Sequence, residues 1–219
     1  MRGALCERLL LLSIKIFTWD VFMLLGKSKE SKFWQWFEKN EDKIFKFENN
    51  QDKVFNELSH KLKNIHKNLT FEFGPIINNQ KEFVISAGGI KAAFPAVEIL
   101  YNNTPKLKYF SVTKFRPRKT TIYDLSISGT LIKAESVKYL LFKDENPNKV
   151  GIFLFFSDYQ DELKNLFAQI GFLFLDQILG EYDVETKVGI LDFLSFDSKY
   201  FKDSKPLKEL PQEFDNFFE

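Results

Sequence analysis

Apolar residues first recur with a helical period. Phe33, Trp34, Phe37, Ile44 and Phe47 are separated by lysines and acids, which predicts an amphipathic helix from an N-cap at Ser31 to the break at Asn49-Asn50. Val54, Leu58, Leu62 and Ile65 mark a second helix, and the two are expected to form an antiparallel hairpin laid over a sheet. From Leu69 the period falls to two. Leu69, Phe71 and Phe73 alternate with polar residues as far as Gly74-Pro75, and after the turn Asn78-Asn79-Gln80 a strand over 82–87 completes a β-hairpin. Gly88-Gly89 ends that strand, and Pro95 suits the first turn of a helix reaching about Asn102, where its missing N–H costs nothing.

Strands are predicted over 109–115 and over 121–128, the latter closed by Gly129, with a short helix over 134–142 and a loop at Asn146-Pro147-Asn148. Residues 150–156 are apolar on both faces, the mark of a central, buried strand. A helix over 160–179 carries Leu163, Phe167, Ile170, Phe174 and Ile178 on one face. Its second half is apolar nearly all round, so it is expected to be sandwiched rather than to lie on the surface. Gly180 ends it, a last strand follows over 188–196, and Phe214, Phe217 and Phe218 dock the tail. No internal repeat shows at a fixed period. Strands interspersed with single helices and hairpins indicate an α+β fold: a mixed, mainly antiparallel β-sheet with an N-terminal helical hairpin and one long buried helix packed on it.

Composition narrows the function classes. The chain has 219 residues, 44% hydrophobic and 28% charged, with a net charge of +1, which excludes a disordered polyelectrolyte and argues against nucleic acid as a partner. Its 26 phenylalanines predict a core of large rings. One cysteine excludes a disulfide scaffold and a thiolate zinc site, and two histidines leave little for a metal centre. Lys15 and Asp20 interrupt the apolar run over 9–25, so no membrane span is expected there, and no small-residue cleavage site follows. Residues 1–22 are read as an over-long start or a leader, and 23–219 as a single α+β domain in the cytoplasm. Attachment to a membrane surface through residues 1–25 is the alternative.

Phe33-Trp34-x-Trp36-Phe37 with Asn40-Glu41, the run from Glu82 to Ala87, Phe94-Pro95, Phe115-Arg116-Pro117-Arg118 and Leu179-Gly180-Glu181-x-Asp183-x-Glu185-Thr186 together resemble an uncharacterised family of bacterial proteins. The resemblance covers roughly residues 32–196 and implies neither an activity nor a catalytic residue. Its members begin just before the Trp-rich helix, in keeping with an over-long start here.

Candidate chemistry concentrates in a few charges. Of four arginines, two lie in the leader and two, Arg116 and Arg118, flank Pro117. On an extended chain Lys114, Arg116 and Arg118 point to one side, which fits a phosphate or carboxylate clamp, or else a structural ion pair with buried acids. Glu181, Asp183 and Glu185 alternate likewise, so extended geometry gathers three carboxylates that a divalent cation, the arginine pair or solvent must compensate. Gly88-Gly89 lacks the wider pattern of a phosphate loop, His60 and His66 miss the spacing of a two-histidine metal face, and Asp124, Ser126 and Ser128 read as an ordinary strand. No catalytic residue, metal or cofactor is assigned. Two functions follow: a non-enzymatic binding or protein-interaction domain, immunity-type neutralisation of a partner being one version, or a binder of small anions or metal-assisted enzyme using Lys114, Arg116, Arg118, Glu181, Asp183 and Glu185.

Overall fold

The computed structural model describes residues 27–219; the expected leader over 1–22, including Cys6, lies outside them. Helices α1 (Lys29–Lys39), α2 (Glu41–Phe45) and α3 (Gln51–Lys63) precede strands β1 (Thr70–Ile77) and β2 (Gln80–Ser86), helix α4 (Phe94–Asn102) and strand β3 (Phe110–Lys114). After a connector come the hairpin β4 (Leu125–Ile127) and β5 (Thr130–Ile132), then β6 (Lys138–Lys143), β7 (Val150–Phe156), α5 (Lys164–Leu179), α6 (Glu181–Lys187), β8 (Val188–Ser195), β9 (Lys205–Pro206) and α7 (Leu210–Phe218). The fold is α+β. Among the described residues antiparallel pairings predominate, with parallel pairs at β2·β3 and β7·β8. Instead of one sheet, the strands among the described residues form three, ordered β1-β2-β3, β4-β5 and β8-β7-β6-β9.

The two larger sheets share a plan that the sequence conceals. Each is a hairpin, a crossover helix and a strand returning parallel to the hairpin's second strand: β1-β2-α4-β3 in the first half, β6-β7-α5-β8 in the second. The offset is constant over its central part. Gln80 and Val150 open the middle strands, Lys91 and Asp161 the 3-10 turns, Phe94 and Lys164 the helices, each pair 70 residues apart. Apolar character is kept at equivalent buried positions, Val97 with Phe167 and Leu100 with Ile170, while side-chain identity is not. Parallel strands need such a crossover, and burial of one helix face is all that it requires.

Each half closes its own core. Phe37, Leu58 and Leu62 of α1 and α3 pack with Val97 and Leu100 of α4 on Phe83 and Ile85 of β2. The Trp34 indole N–H donates to the Leu100 carbonyl, 2.8 Å away, which satisfies the one polar atom that this ring brings into the core. In the second half, Phe167, Ile170 and Phe174 of α5 and Phe214 of α7 pack with Ile152 and Leu154 of β7. The long helix is sandwiched, as its apolar circumference predicts, and the tail docks through Phe214.

Four local expectations are corrected. The first helix stops at Lys39, because the Asn40 side chain and backbone both turn back onto the Trp36 carbonyl. Its cap is Ser28, whose hydroxyl accepts from the Ser31 N–H. The strand over 121–128 shrinks to β4, since residues 116–124 serve as the connector between halves. The helix over 134–142 is a 3-10 turn leading into β6, which pairs along its length with β7. Glu181, Asp183 and Glu185 lie not on extended chain but on α6.

Gly171 tests the packing of the long helix. A methyl group built there would overlap the ring of Phe193, itself buried, so the ring has to shift. Gly171→Ala gains about 1 kcal/mol of helix propensity but forces overpacking of greater cost. A net loss of about 2 kcal/mol is expected from the urea midpoint. Phe193→Leu in the same chain is expected to return part of it.

Candidate functional site

The seam between the halves is polar, and the connector builds it. Phe115 takes φ 60°, an uncommon conformation for a bulky residue, which breaks the extended run after β3. Lys114, Arg116 and Arg118 therefore do not form one clamp. Lys114 lies 3.6 Å from Glu98 on the surface. The Arg116 guanidinium donates through Nε to Glu72 of β1 and through Nη1 to Asp176 of α5 at 3.1 Å, so one side chain ties the two sheets' layers together. Arg118 engages all three nitrogens: Nε on the Leu179 carbonyl at 2.8 Å, Nη2 on Asp183 at 2.7 Å and Nη1 on Asp215 of α7 at 2.8 Å.

The acidic triplet divides according to helical geometry. Residues i and i+4 of a helix share a face and i+2 lies opposite, so Glu181 and Glu185 turn toward the first half while Asp183 turns to Arg118 and Lys187. Gly180 permits this break between α5 and α6. Its φ is 81°, and a Cβ would stand 3.3 Å from both the Arg116 carbonyl and the Arg118 nitrogen.

Glu181 has no exposed surface, yet it is fully engaged. Its Oε1 accepts the Ala87 N–H at 2.9 Å and the Gly89 N–H at 3.1 Å, and its Oε2 accepts the Arg116 N–H at 3.0 Å. Its own N–H returns to the Arg116 carbonyl at 3.0 Å. The turn over Ala87–Gly89 thus forms an anion nest through its first and third N–H groups, filled by a carboxylate from the other half of the same chain. Gln177 adds a second stitch, exchanging hydrogen bonds with the backbone N–H and carbonyl of Tyr123.

Charge is unevenly balanced along this seam. Burial pushes the Asp176 carboxyl up to about 6; Arg116 opposes the rise, while Glu181 and Glu185 add to it. Burial and then Glu181 also raise Glu185, against the pull of Lys91 and Lys149. Arg116 is held in its charged form because Glu72 and Asp176 outweigh the cost of its burial. Glu185 makes no hydrogen bond or ion pair among the described residues.

A cleft of about 490 Å³ opens at the seam beside these groups, lined by Gly88-Gly89, Ile90, Arg116, Phe172, Asp176 and Glu185 among others. It lies just outside the carboxyl ends of the parallel pair β2 and β3, where ligands of open α/β sheets commonly sit. Ile90 and Phe172, both over two-fifths exposed, bring apolar surface to it. Among the described residues no group of three His, Cys, Asp or Glu is placed to hold a metal ion, and no helix is long and apolar enough to cross a membrane. Asp124, read as strand surface, accepts the Ala134 N–H, and Ser128 occupies the turn between β4 and β5.

Three charged members of the polar seam, and the uncharged Gln177, escaped the sequence reading. Glu72 and Asp215 stand among many other surface acids, but Asp176 is the only charged residue between Ile170 and Leu179, and a lone charge in an apolar turn signals a buried partner. Set beside known proteins, the chain matches no family model, no curated protein and no solved structure.

Proposed function

We propose that the chain is a non-enzymatic binding domain that recognises another protein through the seam cleft. The observation that carries this reading is the placement of two half-exposed apolar side chains, Ile90 and Phe172, at one concave site between the halves. Interfaces centre on such apolar anchors within a polar rim. Of the groups that sequence alone nominates for chemistry, all but Glu185 are engaged: Lys114 by Glu98, Arg118 by Asp183, Asp215 and a carbonyl, Arg116 by Glu72 and Asp176, Glu181 by three N–H groups. A small anion would have to displace carboxylates already in contact with the guanidinium groups, which places the anion-binding or metal-assisted reading second. A cytoplasmic setting, an immunity-type role and kinship with the bacterial family that the motifs resemble belong to this proposal.

A photo-crosslinking amino acid at position 172 tests it. In cells of the source organism it is expected to trap one protein at near-stoichiometric yield, whereas the same group at Lys53 on α3 traps none. Phe172→Asp is expected to abolish co-purification of that protein. A crosslinker at 172 that recovers only uncoupled chain, in cells where the protein is folded, overturns the reading.

A further inference from the structure

We infer that the seam cleft recognises an alkylammonium group, the chemistry of a lysine side chain or of a free aliphatic amine. The inference deepens the proposed binding role and rests on it only for the identity of the amine's carrier. Three features of the cleft converge. Its apolar wall, from Ile90, Ile127, Phe172 and Leu173, suits a short hydrocarbon stem. Its polar end presents Glu185, whose carboxylate has no partner among the described residues, with Asp176 and its ion-pair partner Arg116 beside it. Its setting is short of positive charge.

That shortage follows from the groups around it. Asp176 is faced by Arg116 and, as like charges, by Glu181 and Glu185; Glu185 is faced by Glu181 and by Lys91 and Lys149. Arg116 already neutralises Glu72, reaches Asp176 through one nitrogen and is shared with Glu181, whose hydrogen bonds all come from backbone N–H groups. An entering ammonium supplies the missing charge and relieves both raised carboxyls. A carboxylate ligand adds to the repulsion, and an alcohol of the same length gains only the apolar contact. The cleft's place outside the carboxyl ends of β2 and β3 gives the ligand an entrance without opening either core.

Titration calorimetry of the full chain with pentylammonium chloride, pentanol and sodium pentanoate separates these cases. At pH 7.5 pentylammonium is expected to bind about tenfold more tightly than pentanol, with pentanoate weaker still. Glu185→Gln is expected to remove that advantage while leaving the melting temperature of the free protein nearly unchanged. On lowering the pH to 5 pentylammonium affinity is expected to fall several-fold, since Asp176, whose carboxyl is pushed up to about 6, takes up a proton while the amine stays charged. A peptide with one lysine that binds better than pentylammonium, and loses this on acetylation, identifies a protein as the carrier; the reverse order identifies a free amine. Equal binding of pentanol and pentylammonium, or affinity indifferent to Glu185→Gln, overturns the inference. Neither result touches the crosslinking test at position 172, so the two proposals fail separately.

Discussion

Glu181→Ala is expected to lower stability by about 4 kcal/mol and to uncouple the two halves of the chain. Truncation leaves the N–H groups of Ala87, Gly89 and Arg116 without their acceptor, each costing about 1–3 kcal/mol where water is excluded. Against this, removing one carboxylate eases Asp176 and Glu185, which it repels. The relief acts through space on two groups, whereas the loss acts on three direct hydrogen bonds, so the loss prevails. Glu181→Gln retains one acceptor oxygen but sets an amide N–H against one of the three donors, and about half the loss is expected.

The tryptophans make the uncoupling measurable. Both described tryptophans, Trp34 and Trp36, lie on α1 in the first half, so in a Trp19→Phe background fluorescence follows that half alone, whereas far-ultraviolet circular dichroism follows both. In the native sequence the two urea transitions are expected to coincide. In Glu181→Ala the fluorescence and dichroism midpoints should separate. Coincident transitions with an unchanged midpoint would show that this carboxylate does not hold the seam.

The sequence made the cores legible and left the seam largely hidden, for a physical reason. Residues 150–156 announce a buried strand because burial on both faces demands an unbroken apolar run, and Phe167, Ile170 and Phe174 announce a helix by their spacing alone. Residues 134–142 mislead because Val137, Leu140 and Leu141 suit either period, and it is the pairing of β6 with β7, a long-range contact, that decides. The acids after Gly180 mislead in the same way: with Val184 the only aliphatic residue among them, nothing local separates a loop from two turns of helix. Scarcity of arginine did single out Arg116 and Arg118, and the pairing of Arg118 with Asp183 is the structural alternative read from the same residues. The partners Glu72 and Asp215 were beyond reach, because an acid on a strand or a terminal helix has an ordinary solvated explanation. The plan shared at a 70-residue offset stayed hidden because it constrains burial, and burial admits any apolar residue of suitable size.

Arg116→Met carries the second large effect and links the seam to pH. The substitution keeps the length of the stem but leaves Asp176, 8% exposed, and Glu72 without their counter-charge, a loss of about 3–5 kcal/mol at pH 7.5. The direction with pH follows from Asp176. Its carboxyl titrates near 6 in the folded chain against 3.8 when unfolded, so the folded state binds the extra proton between those values. Stability from this group is therefore fully present below about pH 4 and is lost as pH rises through 6, by about 3 kcal/mol in the native sequence. Without Arg116 the restraint on that pKa disappears, the carboxyl titrates higher, and the loss extends to higher pH. Arg116→Met should thus be costly at pH 7.5 and mild at pH 4.5, where Asp176 is protonated with or without its partner. Adding Asp176→Asn to Arg116→Met should restore most of the stability at pH 7.5, a strong coupling for two residues in contact. Asp176→Asn alone should flatten the native profile between pH 4 and 6. Urea titrations at the two pH values decide the matter: a cost for Arg116→Met that is the same at both, or one that Asp176→Asn leaves in place, would mean that the guanidinium holds the halves by packing rather than by charge.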